Sequence, residues 1–115
     1  MDVIAELTKK IVDFRNKRDW KQFHNPKDLA IDLAIEASEL LEIFLWKKES
    51  ELQEVVKEKR NKIEEELADV FIVALLLAHE LGLDVKEIVE EKLKVNEIKY
   101  PVEKFKGIAK KYNEV

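Results

Sequence analysis

Glu36-x-x-Glu39 and Glu66-x-x-Asp69 stand inside the two most apolar stretches of this 115-residue chain. A carboxylate on an apolar helix gives up hydration and recovers it only by meeting a cation or a hydrogen-bond donor. One such residue is an accident of a helix edge. Two i, i+3 pairs, on segments expected to pack together, have the form of a hard-metal site. Oxygen-only ligands suit magnesium, with manganese as the alternative, over zinc or iron.

The elements that position these residues are expected to be helices. Two glycines and two prolines leave little material for tight β-turns, and the Ala, Leu, Glu and Lys content favours helix. A chain of this length makes one domain, read as residues 1–101 with 102–115 as a tail or short packed segment. The absence of cysteine excludes disulfides and thiolate metal sites. A net charge of −4 with interspersed signs gives no basic footprint for nucleic acid and no polybasic membrane patch. The longest apolar run, Val70 to Ala78, is far shorter than the roughly 18 residues of a membrane span. With no leader pattern at the start, a soluble cytoplasmic protein is expected.

Four helices are predicted. The first runs from Val3 to Arg18, with Ile4, Leu7, Ile11 and Phe14 along its inner face. A polar-aromatic connector, Asp19-Trp20-Lys21-Gln22-Phe23-His24, leads to Asn25-Pro26, a cap followed by a proline at the first helical position. The second helix spans Pro26 to Lys48, with Ala30, Leu33, Ala34, Ala37, Leu40, Leu41 and Phe44 as its core stripe. Asp32, Glu36 and Glu39 are assigned to a different face, where three like charges repel one another. The third helix is capped by Ser50, carries a charged first half, turns apolar after Glu66 and Asp69, and stops at Gly82. Asp84-x-x-Glu87 opens the fourth, which ends before Tyr100-Pro101. Antiparallel pairing of the second and third helices brings the acidic pairs together at a suitable register. The third helix is more apolar than one small bundle needs, so a homodimer or homotetramer is expected.

The chain resembles the MazG-like all-α nucleoside triphosphate pyrophosphatases from about Trp20 to Pro101. The residues carrying the resemblance are Glu36-Ala37-Ser38-Glu39-Leu40-Leu41-Glu42, Trp46-Lys47, Glu65-Glu66-Leu67-Ala68-Asp69-Val70, and Lys92-x-x-x-Asn96-x-x-Lys99-Tyr100-Pro101. The aromatic connector and the Tyr-Pro pair make it most similar to the short dCTP pyrophosphatase branch. The resemblance implies a four-helix-bundle-like fold completed by oligomerisation, and hydrolysis of a nucleoside triphosphate to the monophosphate and pyrophosphate. It implies magnesium held by Glu36, Glu39, Glu66 and Asp69. It also implies a nucleotide pocket shaped by Trp20, His24 and Trp46, with Asn96 and Tyr100 touching substrate. Asp32 departs from the pattern, where a small residue is more usual. Carboxylates alone would repel a triphosphate, so a divalent cation must bridge the two, and one carboxylate can serve as base to a bound water. Lys47, Lys92 and Lys99 are candidate counter-charges for phosphate.

Each of these residues also has a plainer reading. Trp20 and Trp46 alone read as partial core, His24 as a loop hydrogen-bond partner, and His79 as structural. Lys47 complements a helix C-terminus equally well. A di-iron bundle is set aside because neither histidine follows a glutamate by three residues. Two alternatives stay open: a non-catalytic module binding a basic partner through its acidic face, and a phosphoribosyl-ATP pyrophosphatase-like enzyme.

Overall fold

The computed structural model describes residues 2–114, which form helices and turns with no strand among them. The fold is all-α. Residues 2–83 make one compact unit and 84–114 a second.

In the first unit, α1 (Val3–Lys17) starts on Asp2, whose carboxylate accepts from the Ala5 N–H. Its inward residues are Thr8, Ile11, Val12 and Arg15, while Ile4, Leu7 and Phe14 are exposed. The expected inner face of the first helix is therefore rotated, because Arg15, one turn after Ile11, is the group that goes in. The buried guanidinium pairs with Glu80 and holds that carboxyl below the usual carboxylate range. α2 (Pro26–Glu42) begins as its sequence requires, with the Asn25 side chain accepting from Asp28 N–H at 2.8 Å and proline at the first position.

α2 ends six residues before the expected Lys48. Ile43, Phe44 and Leu45 bond three residues back, to Leu40, Leu41 and Glu42, and Trp46 closes the turn at φ 65°. A run of β-branched and aromatic side chains loses rotamer freedom in a helix, which favours unwinding here. The expected long third helix is likewise divided. A 3-10 turn (Glu49–Glu51) leads into α3 (Leu52–Glu58), and a break at Lys59 precedes α4 (Arg60–Glu80). Ser50 lies inside that turn rather than capping a helix. The break allows one residue of the charged segment, Val55, to be buried. Gly82, at φ 67°, ends α4 as predicted, with Leu83 N–H reaching back to the Ala78 carbonyl.

α2 packs chiefly on α4, and α1 joins them. Leu29, Val73 and Leu76 form the buried centre, with Ile11, Val12, Leu33 and Leu77 around it. The pairing is antiparallel: Leu29, early in α2, meets Val73 and Leu76, late in α4, while Glu36 and Glu39 meet Glu66.

The core stripe of α2 also differs from expectation. Leu29 is its deepest residue at 2% exposure, followed by half-buried Leu33, Leu40 and Phe44. Ala30, Ala34, Ala37 and Leu41 are exposed, as are Ile31, Ile35 and Leu45. Asp32, Glu36 and Glu39 are half-buried and share the inward stripe instead of a separate face. α4 behaves the same way, since Glu66 is buried in line with Val73 and Leu76 at heptad spacing.

The second unit holds α5 (Val85–Lys99), capped by the Asp84 carboxylate on Glu87 N–H at 3.0 Å, and a short α6 (Val102–Phe105). Phe105 and Tyr112 pack edge-on against Tyr100 at 4.9 and 6.0 Å between ring centroids. Of the residues after Pro101, Phe105 alone is half-buried and the others described are exposed.

Candidate metal centre

About one turn of α2 and a single residue of α4 build the site. Glu36 and Glu39 project from α2 toward Glu66 on α4, and one oxygen from each of the three lies within 4.8 Å of the others. Two oxygens on opposite sides of a magnesium ion are about 4.2 Å apart, twice the bond length. Small side-chain rotations therefore close this cluster onto a shared cation.

The electrostatics agree with that geometry. The Glu36 carboxyl is pushed up to about 7, first by burial and then by its acidic neighbours Glu39, Asp32 and Asp69. Glu66 is shifted the opposite way, below its ordinary value, because the Lys62 ammonium bonds it at 2.7 Å. Each of the two still keeps a buried oxygen, Oε2, without a hydrogen-bond partner among the described residues. Buried acceptors left open are costly, and a cation is the group that would satisfy both. An all-carboxylate donor set fits magnesium or manganese.

Asp69 stands outside the three-oxygen cluster, one turn beyond Glu66, yet close enough to raise Glu36. Asp32 acts on Glu36 in the same manner from one turn earlier on α2.

The remaining candidates are distributed as follows. Trp20, nearly half exposed, stacks edge-on against Phe14 at 5.8 Å, and the Arg18 guanidinium covers Phe14 at 3.6 Å. His24 is half-buried, and its Nδ1 is a third buried atom lacking a partner among the described residues. Trp46 is 89% exposed in the left-handed region, an uncommon backbone for an aromatic residue. Lys47 beside it is exposed. In the second unit, Lys92 is exposed, and Asn96 is half-buried with its carbonyl taken by Tyr100 N–H. The Lys99 ammonium lies 4.8 Å over the Tyr112 ring, next to Tyr100 in sequence. His79, expected to be structural, is exposed.

Sequence reasoning missed Lys62, Arg15 and Glu80. Arg15 was detectable as a cation four residues after Ile11 on the apolar face. Lys62 was detectable as an i, i+4 partner of Glu66.

Known proteins are similar to this chain over most of its length. The chain belongs to the MazG-like family, whose model matches residues 31–115, a span that includes all four candidate acids. It is 34% identical over 114 residues to dCTP pyrophosphatase 1 of Mus musculus, covering 97% of this chain and 67% of that protein. Its identity to the Homo sapiens protein of the same name is 32%, with the same coverage. A crystal structure of a pyrophosphatase from Archaeoglobus fulgidus superposes with a TM-score of 0.83 at 39% identity, covering 88% of this chain and 94% of that one.

Proposed function

We propose that this chain hydrolyses dCTP, or a closely related deoxynucleoside triphosphate, to the monophosphate and pyrophosphate with magnesium, manganese being able to replace it. The enzyme class, a nucleoside triphosphate pyrophosphatase, follows from the family together with relatives named for that reaction. The base, the metal and the residue roles are our reading. One observation carries it: three carboxylates converge in the α2–α4 interface, with two buried oxygens left open.

In this reading Glu36, Glu39, Glu66 and Asp69 hold the cation. When bound, it would neutralise charge on phosphoryl oxygens and lower the pKa of a water. One of the four carboxylates orients or deprotonates the attacking water. Trp46 and Trp20 offer ring faces to the base, supported by their exposure. His24 offers a nitrogen still without a partner. Lys47 faces the phosphates. Lys92, Asn96, Lys99 and Tyr100 enter through the family resemblance alone.

We further take residues 1–101 as one working domain with 102–115 as a tail or short packed segment, in a cytoplasmic protein. Among the described residues no helix is long and apolar enough to cross a membrane. A homodimer or homotetramer is supported by the apolar residues left exposed on α2 and α4, which include Ile31, Ile35, Leu41, Leu67 and Phe71. Light scattering should give an even oligomer; a stable monomer would contradict this.

The test of function is pyrophosphate release from a panel of dNTPs and NTPs, with and without magnesium. Metal-dependent release favouring dCTP is expected. Absence of release from every nucleotide would overturn the proposal.

A further inference from the structure

Lys62 has no part in the reading above, yet it is the cation that reaches the acidic cluster. Its Nζ lies 2.7 Å from Glu66 Oε1, and Glu65 and Glu39 add to the field that keeps it protonated. The two partners differ sharply in environment. The Glu66 side chain is 8% exposed, whereas that of Lys62 is 58% exposed. A long ammonium thus comes from solvent to a carboxylate that is largely withdrawn from water. Glu66 has two oxygens; Lys62 takes one, and the other is buried and open.

We propose that Lys62 is a built-in stand-in for the divalent cation: it neutralises Glu66 while the site is empty and must be displaced when metal binds. This rests on the metal reading of Glu36, Glu39 and Glu66. An ammonium and a metal ion cannot both sit at bonding distance from the same oxygen without strong repulsion, so the two compete for Glu66. The lysine is one turn from the carboxylate on the same helix and returns without any backbone movement. Its gain is that Glu66, the buried carboxylate, keeps a cationic partner when no metal is bound. Its cost is a weaker hold on metal.

An ordinary helix-surface ion pair makes a different prediction. Such a pair would stabilise the metal-free and metal-bound states equally and leave metal affinity alone. A stand-in stabilises only the metal-free state.

The experiment measures Mn²⁺ affinity from the resonance signal of the free ion, for wild type, Lys62→Met, Lys62→Arg and Glu66→Gln. Melting of each protein is followed with and without the metal. In Lys62→Met, affinity should rise roughly twofold to fivefold, the range of a partly screened ion pair. Its melting temperature should fall when metal-free and match wild type when metal-saturated. Lys62→Arg should restore wild-type behaviour, and Glu66→Gln should lose binding. Equal affinity in wild type and Lys62→Met would overturn the stand-in role while leaving the metal site in place. Weaker binding in Lys62→Met would also overturn it, by showing that the lysine supports the ligands. Binding by none of the proteins would remove the metal reading and this inference with it.

Discussion

The α2–α4 interface has two ends built on the same stripes of the same helices. At one end Leu29 meets Val73 and Leu76, and hydrocarbon excludes water. At the other, Glu36 and Glu39 meet Glu66, and three carboxylates fill equivalent inward positions. The apolar end needs nothing from outside. The acidic end is held together when empty by the Lys62 ammonium on Glu66 and by the raised proton affinity of Glu36. The contrast teaches that helix packing brings the carboxylates together against their mutual repulsion, and that one end supplies the stability the other spends.

Substitutions at the two ends should therefore separate stability from turnover. The largest effect is expected at the acidic end: Glu66→Ala should reduce pyrophosphate release to background while circular dichroism keeps the helical signal. Normal turnover would remove the functional half of the comparison. Next comes the apolar end, where Leu29→Ala should cost about 2–5 kcal/mol of stability in denaturant unfolding, as for other fully buried leucines. The fraction still folded should keep its turnover per molecule. A loss below 1 kcal/mol would show that this cluster is not the anchor.

The smallest effect concerns pH. Glu36 titrates at about 7 in the folded metal-free chain, against 4.5 ordinarily. Between those values the folded state keeps a proton that the unfolded state has released. Stability contributed by Glu36 is thus complete below about 4.5 and is lost as pH rises through about 7. Melting temperatures of metal-free protein should fall across that window, and Glu36→Gln should flatten the fall. The depressed carboxyls of Glu66 and Glu80 act in the opposite direction, at lower pH. An unchanged slope in Glu36→Gln would place the pH sensitivity elsewhere.

How much of this was legible depended on whether the deciding interaction is local. Asn25, Asp84 and Gly82 act within a turn of themselves, and each ends or begins a helix where the sequence says it should. The break at Lys59 and the end of α2 at Glu42 have no glycine or proline to announce them, and there the packing of Val55 and the bulky 43–46 run decide. The spacing of the acidic pairs was enough to anticipate that Glu36, Glu39 and Glu66 come together. Their place in the core stripe was not legible, because hydrophobicity alone assigns charged residues to an outer face. On α2 the most apolar face is exposed in a single chain, which pulled the expected stripe away from Leu29 and Glu36. The position of Arg15 on the inner face of α1 could be read locally, but its partner Glu80, 65 residues away, could not.

Diffraction at the manganese absorption edge, from crystals grown with Mn²⁺, tests the central claim most directly. The account predicts an anomalous peak at coordination distance, about 2.2 Å, from oxygens of Glu36, Glu39 and Glu66, with Lys62 turned away. Fully bound manganese elsewhere, with those carboxylates still paired to Lys62 and to each other, would contradict it.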